Sequence, residues 1–209
     1  MGAHLPQIDL LDVTDLACLR GGRSVFRSVS FRLCGGDVLI VEGPNGSGKT
    51  SLLRLLAGLL VPAAGTISIS TEGTQIADRE EHRAFTGWLG HHDGVKPQLT
   101  PRETLQFFAQ LHRTAAKDIS LLLEAVGLTG AADFPCQYLS AGQKRRLALA
   151  RLILCSRPLW LLDEPLASLD ASGKSLLLEF LRDHLAAGGI AVIATHDPLD
   201  IGAARLHLA

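Results

Sequence analysis

Polar and apolar positions alternate weakly over Ile8 to Cys18 and again over Ser24 to Leu33, with Gly21-Gly22 and Gly35-Gly36 as punctuation. The pattern predicts antiparallel strands joined by turns. Val38 to Val41 breaks the alternation with four apolar residues in a row, which suits a strand covered on both faces, as in a parallel sheet. The chain then enters a glycine-rich loop and Ser51 to Leu60, where leucines at 52, 53, 55, 56, 59 and 60 surround most of a helix circumference. A helix buried on nearly every side is the expectation.

Beyond Phe85 to Leu89, which is strand-like, the character becomes helical. Thr100-Pro101-Arg102-Glu103 combines a capping hydroxyl, a proline at the first helical position and a carboxylate three residues on. Asp118 to Val126, closed by Gly127, and Gln143 to Leu154 supply two more helices. Strand-like runs return at Leu159 to Leu162 and Ile190 to Ala194, separated by the helical pattern Gly173 to Ala187. The expectation is one α/β domain over residues 1–209. Its core comprises 1–96 and 158–209, and a helical segment, 97–157, is inserted between them.

Composition narrows the function classes. A net charge of −1 and a pI near 6.7 give no polyanion-coating surface, so nucleic acid is not an expected partner. The chain is 47% hydrophobic and 20% charged with mean hydropathy +0.24, which raises the question of a membrane span. A span needs about 18 consecutive apolar residues. The best stretch, Ser51 to Ser70, is broken by Arg54, Gly58, Pro62 and Gly65. Met1 to Leu16 lacks a basic n-region and an apolar h-region, and Pro6 sits where a myristoylation signal needs Ser or Thr, so a cytoplasmic chain is expected. Cys18, Cys34, Cys136 and Cys155 form no C-x-x-C pair and read as free thiols of a reducing compartment.

Gly43-Pro44-Asn45-Gly46-Ser47-Gly48-Lys49-Thr50 matches G-x-x-x-x-G-K-[ST] between a predicted strand and a predicted helix that opens at Ser51. Its glycines let successive backbone N–H groups turn inward around phosphate oxygens, and the helix start adds positive potential. Lys49 suits the β- and γ-phosphates of ATP, and the Thr50 hydroxyl suits Mg²⁺. Asp163 and Glu164 end the strand Leu159 to Leu162, where open α/β sheets bind ligands. Read alone they are a strand-end turn. Beside a phosphate loop, Asp163 becomes a candidate Mg²⁺ ligand and Glu164 a candidate base for the attacking water.

Four further features each have a plain structural reading by themselves. Ser140-Ala141-Gly142-Gln143 is a capping box at a helix start as much as a phosphate contact. His196, at the end of the strand Ile190 to Thr195, is a polar cap as readily as a catalytic group. Lys144, Arg145, Arg146 and Arg151 lie on a helix with interleaved Leu and Ala, and are expected to form a solvated face. His91-His92-Asp93 lacks a third ligand at metal spacing.

Taken in order, the phosphate loop, Leu139 with Ser140 to Gln143, Asp163-Glu164, Ser168-Leu169-Asp170 and His196 resemble the ABC ATPases over nearly the whole chain. Within that family, the Ser-Ala-Gly-Gln signature and Leu89-Gly90-His91-His92 with Val95-Lys96 and Leu99-Thr100 resemble the ATP-binding subunits of the haem exporter of cytochrome c maturation. The resemblance implies a P-loop NTPase (RecA-like) core with an antiparallel β subdomain and an inserted α-helical subdomain. It implies that His196 contacts the γ-phosphate, that the signature acts in trans across a homodimer sandwiching two ATP, and that Asp170 couples the two copies. An integral membrane transporter subunit of the CcmB type is the implied partner, with the ATPase peripheral on the cytoplasmic face of the bacterial inner membrane. Two positions depart from the family: His92 stands where the Q-loop glutamine belongs, and Arg20 stands where an adenine-stacking aromatic is usual.

Overall fold

The structure is a computed structural model that describes residues 7–76, 78–112 and 118–209; Pro6 and the start of the segment read for a leader lie outside the described residues. Strands β1 (Leu10–Arg20) and β2 (Arg23–Cys34) form an antiparallel ribbon turned by Gly21 and Gly22, both at positive φ. With β4 (Ala64–Thr71) and β5 (Thr74–Ile76) they build an antiparallel sheet of order β2-β1-β4-β5. The second sheet is parallel throughout. It takes the order β6-β7-β8-β3-β9, from β3 (Val38–Glu42), β6 (Thr86–Leu89), β7 (Leu159–Asp163), β8 (Ile190–Ala194) and β9 (Ala204–His207).

The continuous apolar runs are explained by cover on both faces. Leu39 and Val41 of β3 face a core shared with the antiparallel sheet and with helix α1 (Lys49–Leu56). Val38 and Ile40 face a second core beneath α5 (Ala141–Cys155) and α6 (Ala171–Ala186). Helices α3 (Pro101–Leu111) and α4 (Ile119–Ala125) close a third core against α5, around Leu105, Leu123 and Leu147. Residues 101–155 hold no strand among those described.

Both sequence-level capping boxes form. Thr100 Oγ1 accepts from the Glu103 N–H while Glu103 accepts from the Thr100 N–H, and Ser140 and Gln143 do the same at α5. The leucine-rich helix is shorter than expected. It ends at Leu56 because Gly58 turns to φ +67, and Leu59 is consequently exposed. The short helix α2 (Arg79–Phe85) and strand β9 carry no sequence pattern strong enough to announce them.

Register fixes the site. Ala194 pairs with Val41 on one side and Asp163 on the other. The carboxyl ends of β3, β8 and β7 therefore finish level, which sets Gly43, His196 and Glu164 along one edge of the sheet.

Candidate functional site

The loop from Gly43 to Gly48 wraps the start of α1 with Gly43, Gly46 and Gly48 at φ +148, +88 and +101. No side chain fits at two of them. A Cβ on Gly43 would lie 2.3 Å from the Leu208 carbonyl oxygen and 2.6 Å from Ser47 Oγ, and one on Gly48 would lie 2.5 Å from Val25 Cγ1. Lys49 Nζ donates to the carbonyls of Gly43 and Pro44 at 2.7 and 3.2 Å, which holds the ammonium at the centre of the loop. Ser47 Oγ is buried without a partner among the described residues, an orphan that a phosphate oxygen would satisfy.

Across the sheet edge, Thr50 Oγ1 donates to Asp163 Oδ2 at 2.9 Å. Asp163 is 4% exposed, so this hydroxyl and carboxylate form a compact set of hard oxygen donors in a dry place. Glu164 follows at φ +47, its N–H donating to the Ala194 carbonyl at 2.8 Å. His196 Nδ1 lies 3.1 Å from the Glu164 carboxylate, which leaves Nε2 as the ring nitrogen available to a ligand.

These groups open into one cavity of ≈ 600 Å³. Of the predicted residues, Arg20, Asn45, Gly46, Gly48, Lys49, Thr50, Ser51, Asp163, Glu164 and His196 line it. Gly43, Pro44 and Ser47 shape the loop behind. Val25 and His91 also line the cavity, whereas His92, the predicted Q-loop position, is exposed beside His91, the two rings meeting edge to face at 5.4 Å. Cys18, behind Ser51 on β1, stays a thiol: burial pushes its pKa up against the opposing pull of Arg20.

Ser140, Gly142 and Gln143 line a separate cavity of ≈ 620 Å³ with Ser168 and Asp170; Ala141 is the first residue of α5 beside them. Asp170 caps α6 through the Gly173 N–H and pairs with Arg146 Nη2 at 2.7 Å. The Gly173 amide, then Arg146, holds its carboxyl below the usual range. Within one chain the signature and the phosphate loop therefore belong to different cavities.

One expectation is overturned. The three arginines of α5 are not a solvated face: Arg145 is 2% exposed and fully hydrogen-bonded, Arg146 is tied to Asp170, and Arg151 lies 4.9 Å over the Phe108 ring. Spacing carried the signal, because Arg145 precedes Ala148, Leu149 and Leu152 by three, four and seven positions, on the stripe that faces the second core.

A match to the family described as ABC transporter spans residues 26–167. The cytochrome c biogenesis ATP-binding export protein CcmA of Rhodopseudomonas palustris (strain BisB5) is 46% identical over 195 residues, 92% of this chain and 94% of that protein. Its namesake in Paramagnetospirillum magneticum is 48% identical over 199 residues, 93% and 91% of the two chains. Among solved structures, an ATP-binding subunit of an ABC transporter superposes with TM-score 0.78 at 27% identity, over 90% of this chain and 79% of its own. An ABC transporter ATP-binding protein from Pyrococcus furiosus superposes with TM-score 0.82 over 95% and 97%; at 24% identity it speaks for the fold alone.

Proposed function

Because this chain belongs to the ABC transporter family of ATP-binding proteins, we propose that it is the ATP-hydrolysing subunit of the haem exporter of cytochrome c biogenesis. The observation that carries the reading is the Thr50–Asp163 contact and the Glu164–His196 pair opening into the same cavity as the phosphate loop. The loop amides and Lys49 bind the triphosphate, and Arg20 lays its guanidinium plane on the base in the cavity that Val25 also lines. The donor set fits Mg²⁺, held by Thr50 and Asp163; when bound, the ion neutralises charge on the β- and γ-phosphate oxygens.

Glu164 polarises the attacking water, and His196 holds the γ-phosphate while its Nδ1 keeps the carboxylate in place. Two copies of the chain sandwich two ATP. Ser140, Ala141, Gly142 and Gln143 of the second copy close on the γ-phosphate with the N-terminus of α5 as the anion site, and Asp170 couples the copies. Supporting this, the signature lines a cavity apart from the phosphate loop of its own chain. Residues 97–157 act as the signature-bearing subdomain on a core of 1–96 and 158–209.

Binding closes the dimer, hydrolysis reopens it, and an integral membrane subunit of the CcmB type reads the change near His92 and α3, whose Phe107 and Leu111 are exposed. No helix among the described residues is long and apolar enough to cross a membrane, which fits a peripheral subunit on the cytoplasmic face of the inner membrane.

Lys49→Ala abolishes ATP binding or turnover, whereas Glu164→Gln retains ATP, loses hydrolysis and accumulates a closed dimer. Equilibrium binding and phosphate release measured on both variants test this; unchanged hydrolysis in both overturns it. Copurification of the wild-type chain with a membrane protein tests the transport role, and recovery without one in detergent extracts counts against it.

A further inference from the structure

Arg145 has no part in the roles above, yet all of its donors are used inside the site. Its Nε donates to the Pro165 carbonyl at 3.2 Å, Nη1 to Gly90 O at 2.8 Å and Asp93 Oδ1 at 3.0 Å, and Nη2 to Asp163 O at 3.1 Å and Glu164 O at 2.6 Å. Five N–H groups meet five acceptors, the full capacity of a guanidinium. Three segments distant in sequence converge here: the strand end with both carboxylates, the loop after β6 that brings His91 to the cavity, and α5, whose first turn is the signature.

We propose that Arg145 is a positioning residue for hydrolysis, holding the Glu164 backbone and the loop at Gly90 to Asp93 in fixed relation to the phosphate loop. This deepens the function proposed above and rests on it. Glu164 occupies the left-handed region, φ +47, which a side-chain-bearing residue leaves readily unless it is over-determined. It is gripped from both ends, its N–H by Ala194 O and its carbonyl by Arg145 at 2.6 Å and by the Ala167 N–H at 3.1 Å. Loss of the guanidinium removes the shorter of the two bonds to that carbonyl and the fixed link to Gly90 and Asp93, and a rotation about that φ then swings the carboxylate away from the attacking water while the phosphate loop stays intact. The loss therefore falls on turnover, with ATP affinity retained. A lysine cannot substitute, since one ammonium with three donors cannot span five acceptors arranged around a planar fork.

ATP turnover is measured on the full-length chain in its detergent-extracted membrane complex, and ATP binding on the same preparations. Arg145→Met is expected to keep ATP affinity within about threefold, leave KM unchanged and lower kcat by about 30-fold, the scale of a misplaced catalytic group. Arg145→Lys recovers less than about a tenth of the wild-type rate. Leu123→Ala, in the third core, serves as a control for stability: it lowers the unfolding midpoint and leaves kcat at the wild-type value below that midpoint. Wild-type kcat in Arg145→Met, or loss of kcat in step with ATP affinity, overturns the inference. Should Arg145→Met fail to fold, Asp93→Asn keeps the four carbonyl bonds and is expected to lower kcat by about three- to tenfold with ATP affinity unchanged; a wild-type rate there overturns it equally. A wild-type complex that neither binds nor hydrolyses ATP overturns the proposed function itself, an outcome the Arg145 ratios cannot mimic.

Discussion

Residue 43 shows how little freedom the phosphate loop leaves. Glycine is forced there by φ +148 and by the Leu208 carbonyl and Ser47 hydroxyl, which stand inside the space of a Cβ. Gly43→Ala must push β9 away or unwind the loop, and we expect a loss of ATP affinity of at least about 100-fold with the fold retained, since the strain is local; equilibrium binding and a far-UV spectrum check this. The glycine spacing itself was legible in the sequence, because the motif encodes the loop locally. That β9 presses on it was not, because Leu208 is remote in the chain. Arg145 was legible by spacing and misread by charge: its guanidinium is accommodated in the interior by carbonyl oxygens contributed by two other segments, which no local pattern reveals. His91 rather than His92 lines the cavity for a similar reason, the turn after β6 being set by tertiary contacts with Arg145.

At the level of elements, the helix starts at Thr100, Asp118 and Ser140 were readable, since their caps are chemical events within three residues, whereas α6 was expected from Gly173 and is instead capped by Asp170. Helix ends were less so. The leucine run past α1 continues the apolar pattern after Gly58 has already broken the backbone. The helix α6 carries a pH-sensitive contact: His184 stacks on Trp160 of β7 at 4.0 Å, with Nε2 3.2 Å from the Ile190 carbonyl, and burial pushes its pKa down to about 4. The unfolded chain binds this proton near pH 6.5, so between 6.5 and about 4 the unfolded state carries more protons than the folded one. The stability due to neutral burial is complete above that window and is lost as pH falls through it. A shift from 6.5 to about 4 sets a ceiling of about 3 kcal/mol. The thermal midpoint is expected to fall across this range, and His184→Phe, which keeps the ring stack, to flatten the slope.

For the molecule as a whole, an α/β core with a helical segment followed from order alone, with strands and phosphate loop first, helices next and strands again, whereas the separate antiparallel sheet was implied only by the family resemblance. The placement of the signature could be read as a capping box but not as a separate cavity, since that depends on how α5 lies across the sheet. The proposed closure of two copies makes a stoichiometric prediction. In a Glu164→Gln background, sedimentation is expected to show a dimer with ATP and a monomer without it. Adding Gly142→Asp, where a Cβ would already stand 3.0 Å from the Ser168 carbonyl, is expected to leave a monomer that still binds one ATP per chain. A dimer persisting in that double variant contradicts trans contact through the signature.

The strand β9 ties this architecture to the order of synthesis. It covers the open side of β3, pairing Leu39 with Ala204 and Glu42 with His207, and it presses the Leu208 carbonyl against Gly43. A chain still emerging from the ribosome has β3 as a naked sheet border beside an unbraced loop. The finished shape of that loop thus depends on residues 204–208, which are translated long after the loop itself.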